Sequence, residues 1–152
     1  MSIVYAVEKL ATCLEEMKPI LQLHYDEVAM YKDKVPLAPD YDKYLALEEV
    51  GIFHIVTVRD SGKLIGYFIS IVTPNLHYSE TTYAVNDILY IHEDYRAAGV
   101  AQKMFQYAED KLIELGASVI VIHMKTSLPF DSLCLGMGYD YAERNYTKYI
   151  GE

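Results

Sequence analysis

The sequence predicts a mixed α/β fold: a central, mostly antiparallel sheet with one strand–helix–strand unit, flanked by helices. Three observations lead there. Two apolar runs, 52–59 and 64–72, flank Asp60-Ser61-Gly62-Lys63, the pattern of an antiparallel hairpin. A third run, 83–91, is separated from a fourth, 118–124, by a helix-length amphipathic segment, so these two strands pair in parallel. The chain has 152 residues, 52% of them apolar, with no internal repeat or long linker, which suits a single domain over 1–152.

Taken in order, Ile3 to Val7 reads as a short first strand. From Glu8 to Tyr31, Leu10, Leu14, Met17, Leu21 and Val28 recur at helical spacing, and Pro19 is expected to divide this helix into two pieces. Val35 to Pro39 is a turn; Asp40 caps a short helix that runs to about Glu49 and stops at Gly51. The hairpin follows, then a loop from Pro74 to Ser79. The strongest helix runs from Val100 to Leu115, with Ala101, Met104, Phe105, Ala108, Leu112 and Leu115 on one face. Gly116 ends it, and Ser118 to Met124 reads as a buried strand. A short helix near Phe130 to Gly136 and a last strand, Tyr146 to Ile150, complete the chain.

The formal net charge is −9 and no basic tract or stripe occurs, which argues against nucleic-acid binding. No apolar run has the roughly 18 residues of a membrane span, so no membrane association is expected. The N-terminus has no basic leader followed by an apolar core, and the two cysteines, Cys13 and Cys134, lack metal-ligand spacing; a reducing, cytoplasmic setting is expected. The five histidines form no metal motif, so no metal is expected. The acidity has two readings: it keeps the protein soluble, or it concentrates a cationic substrate such as an amine.

The most informative stretch joins the third strand to the strongest helix: Arg96-Ala97-Ala98-Gly99-Val100-Ala101. A helix N-terminus presents unpaired N–H groups and a partial positive charge. Small residues there leave the backbone open to an anion such as a phosphate, and Gly99 permits angles a Cβ would forbid. Arg96 either fixes the turn or pairs with an anion. A tight turn that merely needs room explains the same residues.

The longer stretch Leu89-Tyr90-Ile91-His92-Glu93-Asp94-Tyr95-Arg96-Ala97-Ala98-Gly99-Val100-Ala101 resembles the acetyl-CoA signature of the Gcn5-related N-acetyltransferase family. In that family an apolar strand end and a short acidic turn lead into Arg/Gln-x-x-Gly-x-Gly/Ala at a helix start, which Arg96, Gly99 and Ala101 match. The order of elements matches from about residue 52 onward, similar to small phage and bacterial members. The resemblance implies the family's acyl-CoA N-acyltransferase fold and a coenzyme A pyrophosphate held by the backbone of Arg96, Ala97, Ala98, Gly99, Val100 and Ala101, with Gln102 beside them. It implies the pantetheine arm laid along Leu89, Tyr90 and Ile91 as an added strand, and a thioester in a splayed gap before 118–124. Acetyl-CoA is then the co-substrate, an amine the acceptor, and a homodimer the common assembly. The family often ends in Asn-x-x-Ala-x-x-x-Tyr-x-x-x-Gly-Phe; counting back from Gly138-Tyr139 places Ser127 at the Asn position and Cys134 where a tyrosine commonly protonates the leaving thiolate. Here Cys134 is either that acid or a small buried residue.

Amine acetylation also needs a group to take the amine's proton. Asp87 is the first candidate: it interrupts an apolar strand two residues before Leu89, hence on the face of Leu89 and Ile91. Its other reading is a structural pair or a bulge residue. His123, in Val119 to Met124, is the second, against the reading of a hydrogen-bonded core histidine. His24-Tyr25 could line an acceptor pocket, and Tyr41, Tyr44, Tyr78 and Tyr83 could box a cation or simply pack. Two other functions remain open: a coenzyme A-binding module without turnover, and an interaction protein that reuses the fold.

Overall fold

The computed structural model describes residues 1–152. Five strands form one sheet in chain order: β1 (Ile3–Glu8), β2 (Phe53–Asp60), β3 (Lys63–Pro74), β4 (Thr82–Ile91) and β5 (Val119–Val121). The first three pairings are antiparallel and β4 pairs with β5 in parallel. Helices α1 (Leu10–Val28) and α2 (Tyr41–Glu49) cover one face; α3 (Val100–Glu114) and α4 (Asp131–Gly136) cover the other.

Side-chain alternation along the strands divides the core into two layers. Val56, Val58, Ile65, Phe68 and Val72 face α3, where they meet Val100, Met104, Phe105, Ala108 and Leu112. Phe53, Ile55, Leu64, Tyr67 and Ile69 face α1, where they meet Leu10, Cys13, Met17, Ile20 and Leu21. Strand β3 is therefore buried on both faces, which is why its sequence is nearly continuously apolar. In the hairpin turn Ser61 and Gly62 both take positive φ, 50° and 88°, as the right-handed strand twist requires.

Several elements differ from expectation. Pro19 lies inside one continuous α1. It sits on the exposed side of that helix, so water can solvate the Glu15 carbonyl that the missing N–H leaves unpaired. The Leu10 N–H at the start of α1 donates to Glu48 Oε2 at 2.7 Å, so α2 caps α1, while Asp40 accepts from the Lys43 N–H at 3.0 Å as expected of a cap. Leu115 is 52% exposed, because the helix has closed and the chain turns away at that residue. Strand β5 spans Val119–Val121 rather than 118–124. Residues 146–150 form no strand: Thr147 Oγ1 instead meets the Tyr31 hydroxyl at 3.0 Å and Tyr149 lies under Lys34, so this segment docks on the α1–α2 connection. No helix is long and apolar enough to cross a membrane.

Candidate active site

The turn between β4 and α3 is tied down at both ends. Glu93–Tyr95 form one 3-10 turn, capped by His92 Nδ1, which accepts from the Asp94 N–H. The Tyr95 hydroxyl donates to Asp60 Oδ2 at 2.8 Å, reaching the far end of β2. Arg96 is engaged three ways: Nε donates to the Ile91 carbonyl at 2.8 Å, Nη1 and Nη2 grip Glu27 of α1 at 2.6 and 2.8 Å, and the guanidinium lies over the Tyr90 ring. Of its two expected roles, fixing the turn is the one these side-chain contacts perform.

The consequence is a row of free donors. The backbone N–H groups of Ala97, Ala98, Gly99, Val100, Ala101 and Gln102 have no protein acceptor; Lys103 is the first to bond, to the Gly99 carbonyl at 3.1 Å. Ala98 and Gly99 both take positive φ, 59° and 74°, a left-handed conformation that suits a turn of small residues. A Cβ at Gly99 would meet no protein atom within 4 Å, so the space glycine leaves open lies outside the protein, where a ligand would approach. Gln102 joins Ser132, Leu133, Gly136 and Met137 around a shallow cleft of about 250 Å³ between α3 and α4. A larger hollow, about 350 Å³ along Tyr78 to Thr81, lies in the β3–β4 connection, away from this turn.

Beside the turn, the sheet opens. Strand β4 pairs with β5 only over Tyr83–Val85, so Leu89, Tyr90 and Ile91 keep one unpaired edge toward the gap. This is the splay expected at 118–124, produced because β5 ends at Val121. The turn donors, the cleft and the open edge fit a pyrophosphate-bearing, amide-containing ligand such as coenzyme A.

Asp87 differs from the expectation for its face. The register slips between Ile69–Ile88 and Ser70–Asn86, so Asp87 is an extra residue without a partner on β3. Leu89 and Ile91 pack on the α3 layer, whereas Asp87 turns to the α2 side and accepts from the Tyr44 hydroxyl at 3.3 Å. The carboxyl is open to solvent on one side, yet burial raises its pKa above the ordinary 3.8, with the Tyr44 hydrogen bond opposing. Tyr44 is pushed up to about 12 by burial and then by the Asp87 charge. On the same side of the sheet, His24 Nδ1 meets the fully buried Tyr67 hydroxyl at 3.3 Å and its ring lies tilted against that of Tyr90, centroids 5.1 Å apart; burial lowers the histidine's pKa and so favours its neutral form. The sequence offers His24-Tyr25 as possible pocket lining but gives no sign of Tyr67, whose hydroxyl is hidden in an apolar strand. Sequence reasoning also missed Glu27 and Asn86; the signal for Asn86 was two adjacent polar residues in an apolar run, the mark of a bulge.

The other candidates stand apart. His123 is exposed beyond the end of β5, between Ile122 and Met124, which pack on the α3 layer, and makes no hydrogen bond. Cys134 is 7% exposed inside the α3 layer, and burial raises its thiol pKa, so it packs as an apolar residue and stays protonated. Ser127 is exposed in the β5–α4 loop without a hydrogen-bond partner. The tyrosines do not form one box: Tyr78 stacks on Tyr83, and Tyr41 lies under Lys18. No three His, Cys, Asp or Glu side chains gather as metal ligands would.

Solved structures share this architecture. A ribosomal-protein-alanine N-acetyltransferase from Brucella melitensis is 20% identical with a TM-score of 0.73, over 99% of this chain and 100% of that one. An aminoglycoside acetyltransferase from an uncultured soil metagenomic sample is 15% identical with a TM-score of 0.76, over 99% and 100%. A glucosamine-6-phosphate N-acetyltransferase from Arabidopsis thaliana is 10% identical with a TM-score of 0.74, over 99% and 100%. At these identities the likeness is one of fold. A comparison with curated protein sequences finds no match. The acetyltransferase (GNAT) family model, however, matches residues 14–129, a span that holds most of α1, the bulge, the open β4 edge and the row of free donors: the chain belongs to the acetyltransferase (GNAT) family.

Proposed function

We propose that this protein is an acetyl-CoA-dependent N-acetyltransferase that acetylates a primary amine of a small molecule or a protein. The observation that carries the reading is the row of unpaired N–H groups from Ala97 to Gln102 beside an unpaired β4 edge. Donors at a helix N-terminus neutralise a pyrophosphate, and the Leu89 to Ile91 edge offers main-chain partners to the amides of a pantetheine arm. Gln102 and the α4 residues around the cleft flank the same path. Acetyl-CoA, as substrate, supplies the acyl group as a thioester. Asp87 receives a proton from the acceptor's ammonium group, directly or through water, which frees the nitrogen lone pair for attack. Its raised pKa makes it a stronger base than an ordinary carboxylate. His123, exposed beyond the end of β5, is a second candidate to accept that proton. The new C–N bond replaces the C–S bond; the nitrogen releases its second proton to water as the amide forms, and the departing thiolate takes a proton from water.

The structural relatives include enzymes named for a protein alanine, an aminoglycoside and a sugar phosphate. All bear amines, which supports an amine acceptor without choosing among them. The test is calorimetric titration with acetyl-CoA, followed by thiol-release assays with a polyamine, a free amino acid, an aminoglycoside and a peptide amine. Micromolar binding and turnover of one of them are expected. A folded protein that does not bind acetyl-CoA overturns the reading. Binding without turnover of any amine favours the second reading, a coenzyme A-binding module, for which the enclosed Cys134 at the usual tyrosine position is the specific support.

A further inference from the structure

The bulge in β4 has a cause in one side chain. Asn86 is 3% exposed. Its Nδ2 donates to the Ile69 carbonyl on β3 at 3.0 Å and to the Ile88 carbonyl of its own strand at 3.2 Å. These two carbonyls bracket the extra residue. An inserted residue interrupts the ladder, and interior carbonyls without donors are costly. A carboxamide has two N–H donors on one nitrogen, so one side chain answers both, and the orientation of the amide is fixed because both partners are acceptors. Its cross-strand partner Ser70 is fully buried with a hydroxyl that bonds to nothing, so the carboxamide's donors are spent on the two carbonyls alone.

The bulge sets the face of Asp87 relative to Leu89 and Ile91. In a regular strand Asp87 shares a face with Leu89 and Ile91. Those two pack on the α3 layer with Phe68, Val100 and Met104, where a carboxylate would be buried among apolar groups. The extra residue reverses the phase: Ala84 and Asn86 before it and Leu89 and Ile91 after it lie on the α3 side, while Asp87 and Ile88 both turn to the α1–α2 side. Resting on the reading of Asp87 as the proton acceptor, we propose that Asn86 is a positioning residue for acetyl transfer: its buried carboxamide holds the β4 bulge that presents Asp87 to the acceptor. Tyr44, from α2, is the one titratable group against the Asp87 carboxyl, and no cation pairs with it, so the direction of β4 at this point sets its surroundings.

The test compares Asn86→Leu, Asp87→Asn and the double variant, after circular dichroism confirms that each is folded. The readout is kcat/KM for the panel amine that wild type turns over fastest, together with acetyl-CoA affinity. Asn86→Leu is expected to lower kcat/KM about 100-fold, a loss typical of displacing an acid–base group, to flatten the low-pH limb of the rate profile, and to change acetyl-CoA affinity less than about threefold, since the α3 turn is untouched. The double variant is expected to be no slower than the slower single variant, because two residues that act through one group are not additive. Multiplying losses, or an Asn86→Leu protein as fast as wild type, overturns the proposal while the role of Asp87 stands. An Asp87→Asn protein as fast as wild type overturns the role of Asp87 and the proposal with it. Carbon-13 titration of the Asp87 carboxyl reads the same point without any acceptor: it should titrate above 3.8 in wild type and move in Asn86→Leu, and an unmoved titration overturns the proposal. If Asn86→Leu does not fold, Asn86→Ser, which keeps one donor, takes its place with smaller losses and the same reading of each outcome.

Discussion

On the α3 side of the sheet the chemistry offered to a ligand is main chain: free N–H groups on a turn and the unpaired edge of β4. On the α1–α2 side it is side chain: Asp87 under Tyr44, and His24 between Tyr67 and Tyr90. The two sides differ in how they are built. Main-chain recognition needs only that side chains keep out of the way, so it comes from one contiguous segment of small residues. Side-chain recognition gathers groups from α1, α2, β3 and β4, more than 60 positions apart from His24 to Asp87. A protein made this way can hold one fixed ligand through the geometry of its backbone and vary the other through scattered side chains.

The sharpest way to break the comparison is at Gly99. Gly99→Glu places a left-handed φ of 74° on a residue with a Cβ and sets a carboxylate in the open space before the α3 donors. Calorimetry is expected to show acetyl-CoA binding weakened at least about 100-fold, roughly 2.7 kcal/mol, with the fold intact by circular dichroism. Gly99→Ala separates strain from charge; it should lose about 1 kcal/mol of stability and most of its binding should survive. Unchanged affinity in Gly99→Glu would move the phosphate site elsewhere.

Asp87 tests the other side. Asp87→Asn should leave acetyl-CoA affinity alone and lower kcat/KM by about 10²-fold or more. In wild type the rate should fall as pH drops through the raised carboxyl pKa, and the variant should lack that limb. Stability follows with the opposite sense. A carboxyl whose folded pKa is raised holds more protons in the folded state between its ordinary 3.8 and the raised value, so it removes stability as pH rises through that window. Asp87→Asn is therefore expected to melt higher than wild type at neutral pH. A lower melting temperature would mean that the Tyr44 contact outweighs burial.

The same contrast explains what was legible in the sequence. The hairpin, the parallel unit and α3 each leave a local period, and the turn leaves Gly99 among alanines, so all were readable without coordinates. Continuity of α1 through Pro19 was not, because it depends on which side of the helix meets water. The face of Asp87 was not either: alternation is a rule for regular strands, and one inserted residue inverts it from that point on. Nor was the 146–150 segment, whose β-branched and aromatic residues find partners at Tyr31 and Lys34 instead of a strand. Each miss is a case where a distant contact decides a local outcome.

Between the two sides lies the Arg96–Glu27 clamp, which joins the turn to α1. Removing it should have a moderate effect. Glu27→Gln leaves one hydrogen bond but no ion pair; with the two side chains 33% and 28% exposed, the pair is partly screened, and a loss of about 1 kcal/mol at pH 7 is expected in urea unfolding. Arg96 holds the Glu27 carboxyl below its ordinary 4.5, so its contribution is complete above that value and disappears as pH falls through the lowered one. The gap between wild type and variant should therefore close in acid. A gap that persists at pH 2 would show that the variant acts through packing rather than charge.

The smallest effect is expected at Cys134. Its thiol is enclosed by the α3 layer with Phe105 and Leu112 among its cluster, and burial keeps it protonated. A group so enclosed contributes volume, and truncating it leaves a space smaller than a leucine would. Cys134→Ala should thus cost about 1 kcal/mol of stability and leave kcat/KM within about twofold of wild type. Cys134→Ser keeps the size and adds a hydroxyl that would need a partner in an apolar layer, so it should be the less stable of the two while equally fast. If instead both variants lose rate by more than about tenfold with the fold intact, the thiol reaches the departing sulfur after all, and the α3 side does side-chain chemistry as well as main-chain binding.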